Sequence, residues 1–299
     1  MTSQREFGRD TGLQARMVLS MFLLGLVYTV LIVVAISAGA GAASVLVIAA
    51  LFMSVQLFAS DKIALRAIGA REVTAQEAPE LHAIIERLCV QADLPKPTVA
   101  IVQTPMPNAL ALGRSPKTAT VCATTGLLAL LSPAELEGVL AHELTHVINR
   151  DVVVMTIASF FASVAALLLR FGFLFMGGGR SRSQQGAAAF AVLLAVSVGV
   201  YAVSFVLLRA LSRYREYAAD RGAAVLTGRP SALSSALLKI SGAMDGIPNR
   251  DLRQATQMSA FFIVAPGRRA LKGIFADHPP LEKRIAALSR LEAQLQGTR

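Results

Sequence analysis

Residues 132–151 read Ser132-Pro133-Ala134-Glu135-Leu136-Glu137-Gly138-Val139-Leu140-Ala141-His142-Glu143-Leu144-Thr145-His146-Val147-Ile148-Asn149-Arg150-Asp151. Serine, then proline at the first helical position and glutamate three residues on, is a helix start, because the two polar side chains satisfy amides of the open first turn. Leu136, Val139, Leu140 and Val147 then recur at helical spacing. A helix through this stretch stacks His142 and His146, four residues apart, on a single face. Two imidazoles so placed can reach one Zn²⁺, with Glu143 set as a base beside a metal-bound water. The chain has four histidines, so half of them fall into one metal-ligand spacing.

A catalytic zinc site takes three protein ligands and leaves a fourth position for water. The remaining histidines are His82 and His278. His82 reads as lying on the outer part of a surface helix and is expected to be inert. Among the carboxylates, Ser212-Arg213-Tyr214-Arg215-Glu216-Tyr217-Ala218-Ala219-Asp220 places Glu216 and Asp220 four apart, on one helix face. One of them could bind metal while the other orients a ligand imidazole. The alternative is a surface pair balancing Arg213, Arg215 and Arg221. Two apolar blocks separate His146 from Glu216, and if both cross or both return, Glu216 comes back to the membrane face carrying the histidines.

Those blocks belong to a wider pattern. Of the 299 residues 54% are hydrophobic and only 16% charged, with a mean hydropathy of +0.56, whereas soluble domains are about a quarter charged. The apolar residues gather at about 17–36, 43–59, 152–176 and 187–208. The first block is long enough to span, since about 20 residues suffice. Ala38-Gly39-Ala40 resembles a signal cleavage site, but the block exceeds the usual apolar core of a leader and a second follows at once. Ser37 to Ala42 reads as a tight hairpin turn and Gly177 to Gly186 as a loop; Arg170 interrupts the third block near a helix end, where it can snorkel. Lysines and arginines number three in the N-terminal tail, eight in 60–151 and fifteen in 209–299, against none and two in the hairpin loops. The positive-inside bias therefore puts both termini and residues 60–151 in the cytoplasm.

The polar segments read as folded. Ala78 to Gln91 is an amphipathic helix, Thr98 to Val102 and Thr118 to Ala123 are short strands, and Leu281 to Leu295 is the last helix. Asn108 to Ala123 could offer an edge to which a substrate adds as a strand. The expected fold is mainly α with a small β-sheet (α+β): an integral membrane protein with two helical hairpins, about four transmembrane helices, and a zincin-like cytoplasmic catalytic domain. The expected divisions are 1–59 (tail and first hairpin), 60–151 (catalytic part with the histidine helix), 152–208 (second hairpin) and 209–299 (catalytic part with the third ligand). The net charge of +10 comes without a lysine-rich run or any tryptophan, so nucleic acid is not the expected partner. Cys89 and Cys122 show no metal or disulfide spacing.

Two rival site types can be weighed. A protease whose metal helix lies within lipid is disfavoured by Glu135, Glu137, Asn149, Arg150 and Asp151 flanking the histidines. A transporter would place ionisable residues inside its spans, and blocks one, two and four have none.

The runs Ala141 to Asp151 (AHELTHVINRD), Ser212 to Asp220 (SRYREYAAD), Asp277 to Ile285 (DHPPLEKRI) and Pro107 to Leu128 (PNALALGRSPKTATVCATTGLL) resemble, in the same order, the HtpX-type membrane metalloproteases. That family is related to the CAAX prenyl endopeptidases, and both are gluzincins, in which a glutamate completes the zinc site. The resemblance implies one Zn²⁺ per chain held by His142, His146 and Glu216, with Glu143 as general base and Asp220 behind the ligands. It further implies a multi-pass protein of the bacterial inner membrane, its active site facing the cytoplasm, cleaving damaged or misassembled membrane proteins. Where the family usually has Ala-Phe-Ala after the asparagine, this chain has Ala109-Leu110-Ala111, a change that bears on subsite shape. His278 matches a family position near the active site and could hydrogen-bond the oxyanion. Alternatively, His278-Pro279 only begins the last helix, in which Arg284 pairs with a carboxylate.

Overall fold

The structure is a computed structural model that describes residues 11–37, 42–176, 184–245 and 278–297. The hairpin turn at 38–41, most of the loop from Gly177 onward with Arg180 and Arg182, and Asp277 lie outside the described residues, as does the side chain of Arg170. The elements in chain order are α1 (Thr11–Ser37), α2 (Ala42–Ala67), β1 (Arg71–Glu72), α3 (Pro79–Ala92), β2 (Thr98–Val102), β3 (Ala109–Leu112), a 3-10 turn (Pro116–Thr118), β4 (Thr120–Thr124), α4 (Thr125–Leu130), α5 (Pro133–Ile148), α6 (Asp151–Met176), α7 (Gln184–Thr227), α8 (Pro230–Asp245) and α9 (Leu281–Gly297). They fall into two compact units, one from the described parts of 1–14, 61–152 and 212–299, the other from those of 15–60 and 153–211.

The larger unit is built on a four-stranded sheet in the order β1-β2-β4-β3. β2 pairs parallel with β4, while β1 and β3 pair antiparallel with β2 and β4 respectively. β4 is buried along its whole length, as a central strand should be. The expected edge from Asn108 to Ala123 holds only for its first part: within that stretch β3 is an edge, while β4 lies inside the sheet. One sheet face turns Val99, Ala109, Val121 and Ala123 into a core shared with Ile85 and Leu88 of α3, Val139, Leu140 and Leu144 of α5, Leu237 of α8 and Leu288 of α9. The opposite face packs Ala100, Val102, Leu110, Leu112 and Cys122 against Ala64, Leu65 and Ile68 at the end of α2. Leu110 therefore sits on the face away from α5.

α5 begins as its sequence dictates. The Ser132 amide and hydroxyl both donate to Glu135 Oε2 at 2.8 Å. Ser235 and Lys239 of α8 then close on the same carboxylate at 2.7 and 2.8 Å. The helix ends where Arg150 takes a left-handed φ of 53°, which lets α6 start at Asp151 on a new course. His82 is not an outward-facing residue: it is buried, and its Nε2 lies 3.0 Å from the Val73 carbonyl. A backbone carbonyl at the helix flank lets an imidazole be buried with one nitrogen satisfied.

In the smaller unit Leu24, Tyr28 and Leu31 of α1 pack with Ala158 and Ala165 of α6 and Val200 and Leu211 of α7. The Tyr28 hydroxyl donates to the Ala158 carbonyl, which satisfies the phenol where water is excluded. The outer faces remain apolar: Val18, Phe22, Leu26, Val30 and Val33 of α1 and Val192, Val198 and Val203 of α7 are exposed. An apolar surface of that extent needs a nonaqueous environment. Among the described residues two helical stretches are long and apolar enough to cross a membrane, Thr11–Val34 and Ala191–Thr227. The other two apolar blocks lie on α2 and α6.

Candidate metal centre

Three separate pieces of the larger unit meet at one point: the C-terminal half of α5, the stretch of α7 after Ser212, and the start of α9 with His278 before it. α5 contributes His142 and His146, whose Nε2 atoms are 3.2 Å apart. α7 contributes Glu216, with Oε2 3.7 Å from His142 Nε2 and Oε1 3.6 Å from His146 Nε2. Donor atoms of these three residues all lie within 4.8 Å of one another, a grouping that can hold a metal ion. The two long apolar helices between the sequence pieces thus return Glu216 to the histidines.

The donor set fits a tetrahedral ion on its own chemistry. Bonds of about 2.0–2.1 Å at tetrahedral angles separate donors by about 3.3 Å, close to the 3.2, 3.6 and 3.7 Å found. His146 Nδ1 meets Asp151 Oδ2 at 2.6 Å, and His142 Nδ1 lies 3.0 Å from Asp220 Oδ1, off the line of an ideal hydrogen bond. Carboxylates on both Nδ1 atoms favour the tautomer with the proton there, which leaves two Nε2 lone pairs facing each other. Lone pairs at that distance repel unless a cation lies between them. Among the described residues, Glu143, Glu216, Asp220 and Asp151 are four buried carboxylates, and Arg284 and Arg215 pair with three of them. With neutral imidazoles and ionised carboxylates these side chains carry a surplus of two negative charges, which one divalent cation cancels.

Around these ligands the second tier is as ordered as the first. Arg284, 1% exposed, donates from Nε to Asp220 Oδ2 at 2.8 Å and from Nη2 to Asp220 Oδ1 at 2.6 Å. Its Nη1 lies 3.5 Å from Glu216 Oε2. Burial alone would favour losing the Arg284 proton, but Asp220 and Glu216 outweigh it and raise the pKa above that of a free guanidinium. Arg284 thus pairs with a carboxylate, and His278 turns inward beside Glu216. The His278 ring is buried, its Nδ1 is 3.3 Å from Glu216 Oε2, and neither ring nitrogen makes an aligned hydrogen bond.

Glu143 sits beside the pair, 5% exposed. Burial raises its carboxyl pKa, opposed by His146 and His142, while the Ala111 amide of β3 donates to it. The edge strand and the glutamate are thus in direct contact. For His146 burial opposes protonation, but the Asp151 bond and Glu216 outweigh it and raise the pKa; a metal ion would take the place of that proton. Close approach of α5 and α7 depends on Gly222, where an added Cβ would lie 2.4 Å from Thr145 Cγ2.

Every residue singled out from the sequence, His142, Glu143, His146, Glu216, Asp220 and His278, lies in this cluster. Asp151 and Arg215 also belong to it, and the sequence reading gave them no role there. Their signal was available only as a carboxylate five residues after His146 and an arginine next to Glu216.

Comparison with known proteins agrees with this geometry. The model for peptidase family M48 matches residues 75–292. A protein named protease HtpX homolog from Moorella thermoacetica is 51% identical over 300 residues, covering 99% of this chain and 100% of its own. Protease HtpX homolog 2 of Methanosarcina acetivorans is 49% identical over 293 residues, covering 98% and 99%, and protease HtpX homolog 1 of Streptomyces coelicolor is 49% identical over 297, covering 98% and 97%. The crystal structure of S. mikatae Ste24p superposes with a TM-score of 0.53 at 16% identity, over 93% of this chain and 67% of that one, and so shares the fold. A family match across most of the chain, relatives of equal length at half identity and a clustered His-His-Glu set converge: this chain belongs to peptidase family M48, as a membrane metalloprotease of the HtpX type that acts on peptide or protein substrates.

Proposed function

We propose that the protein is a zinc-dependent endopeptidase in which His142, His146 and Glu216 hold one Zn²⁺ and Glu143 is the general base. The observation that carries this reading is the convergence of those three donors, drawn from chain segments far apart in sequence, beside a buried glutamate. Zinc bound by such ligands supplies Lewis acidity, bringing the pKa of a coordinated water to about 7. Glu143, its carboxyl pKa raised by burial, accepts the proton of the attacking water and delivers it to the leaving amine. His278, with Nε2 free of protein partners, donates to the oxyanion of the tetrahedral intermediate. Asp220 holds His142 and is itself fixed by Arg284.

β3 binds the substrate. As the sheet edge it presents backbone groups on its outer side, the Ala111 amide already meeting Glu143, and along this edge an extended peptide adds as a further strand. Recognition through backbone suits quality control, where damaged or misassembled membrane proteins share no sequence. The four apolar blocks form four spans in two hairpins, with divisions at 1–59, 60–151, 152–208 and 209–299. Both catalytic parts face the cytoplasm at a bacterial inner membrane, a reading supported by the distribution of basic residues.

The test is zinc content and casein cleavage by detergent-purified wild type and Glu143→Gln. Wild type should carry one zinc and cleave; the variant should keep zinc and lose cleavage. Full activity in Glu143→Gln would remove the assignment of the base, and a wild type without zinc would remove the metal assignment.

A further inference from the structure

Asp151 is 1% exposed, a carboxyl group placed away from water. It is the first residue of α6, just past the left-handed Arg150 that ends α5. Its Oδ2 accepts from His146 Nδ1 at 2.6 Å and lies 3.1 Å from Arg215 Nε, an ion-pair distance out of hydrogen-bond alignment. The arrangement repeats the one on the other imidazole, where Asp220 stands between His142 and Arg284. Each imidazole therefore has its own carboxylate, and each carboxylate its own guanidinium.

The two relays differ in what they connect. Arg284 comes from the last helix, whereas Arg215 is the residue before Glu216 on α7. The Asp151–Arg215 contact consequently ties the strand of chain carrying the histidines to the helix carrying the third ligand. It sits one residue from that ligand, so the register between His146 and Glu216 depends on it. We infer that Asp151 is a positioning residue: it fixes the tautomer and ring angle of His146, and Arg215 holds it at the distance that keeps Glu216 in register. The inference rests on the zinc assignment proposed above.

The experiment measures zinc dissociation constants, by competition with a chromophoric chelator, for wild type, Asp151→Ala, Asp151→Asn, Arg215→Gln and the double variant Asp151→Asn/Arg215→Gln. Visible absorption of the Co²⁺-substituted proteins and thermal unfolding of the metal-free forms accompany it. Loss of an outer partner of a ligating histidine costs about 10- to 100-fold in metal affinity, and Asp151→Ala should fall in that range with an altered cobalt spectrum. Asp151→Asn keeps an acceptor oxygen in place and should lose less. Arg215 acts through Asp151, so the double variant should lose less affinity than the two single losses combined and lie close to Asp151→Asn alone. Metal-free unfolding should move little in Asp151→Asn and Arg215→Gln, which separates positioning from general destabilisation. Zinc affinity within threefold of wild type and an unchanged cobalt spectrum in Asp151→Asn and Asp151→Ala would overturn the role of Asp151. Additive losses in the double variant would overturn the relay through Arg215. A wild type that binds no zinc would instead overturn the metal assignment, and this inference with it.

Discussion

Gly222→Ala tests how tightly the two metal-bearing helices must approach. The new Cβ would lie 2.4 Å from Thr145 Cγ2, 2.8 Å from its Oγ1 and 3.2 Å from its Cβ. Carbon atoms ordinarily rest about 3.5–4.0 Å apart, so something must move by about 1 Å. Thr145 cannot swing aside: it is 4% exposed, branched at Cβ, and its hydroxyl donates to the Ala141 carbonyl at 2.8 Å. The remaining relief is to part α5 from α7, and this is the interface across which Glu216 faces His142 and His146 at 3.6–3.7 Å. Metal–ligand distances tolerate only about 0.2 Å. Overpacking of this kind costs about 1–3 kcal/mol. If it is relieved at the expense of the ligands, zinc affinity falls by about 10- to 100-fold, at 1.4 kcal/mol per factor of ten. Thr145→Ala removes the two closest atoms and leaves the 3.2 Å contact to Cβ, so Gly222→Ala/Thr145→Ala should regain most of the affinity and the casein cleavage. Chelator competition and casein cleavage on the two single variants and the double would decide it. A Gly222→Ala protein that binds zinc as wild type does, or a double variant no better than the single, would refute the steric reasoning.

Glu216→Ala should lower zinc affinity by more than about 100-fold, since even outer partners cost about 10- to 100-fold; zinc retained at wild-type stoichiometry would exclude it as a ligand. Glu135, pushed up by burial but held down to about 2 by Lys239, Ser235 and Ser132, contributes stability that is present above its unfolded value and lost as pH falls toward that figure. Lys239 is half-exposed, so screening leaves about 1–2 kcal/mol; thermal melts of Glu135→Gln between pH 7 and pH 3 should show a lower midpoint at neutral pH that converges on wild type in acid. Cys89 and Cys122 are buried, and burial raises both thiols, Cys122 to about 12. Neither should react with a maleimide in the folded protein, and both should react after denaturation, as mass spectrometry will report.

Much of the site was readable from residues because its local chemistry is short-range. A capping box, a four-residue histidine spacing and a Glu-Asp pair each declare themselves within a single turn or two of helix. What escaped lay across chain breaks. Asp151 looks like an ordinary acidic residue opening a helix, and only the left-handed turn at Arg150 swings it beneath His146. β3, with the sequence Ala-Leu-Ala-Leu, has none of the branched residues that mark a strand; pairing with β4 imposes the conformation. His82 was misplaced because the helical period puts it beside the apolar stripe, and the carbonyl that accepts it inside belongs to a residue nine positions earlier. Leu110 departs from the family pattern, but its side chain packs away from α5, a distinction that only the sheet's two faces make visible.

The larger unit takes most of its mass from the described parts of 61–152 and 212–299, which apolar helices separate in the chain. During synthesis the histidine pair therefore leaves the ribosome long before its carboxylate partner. Arg284, which clamps Asp220 and lies against Glu216, follows both of them in the chain. Until the chain has been made past that arginine, the two histidines wait, first for their carboxylate neighbour and then for its clamp.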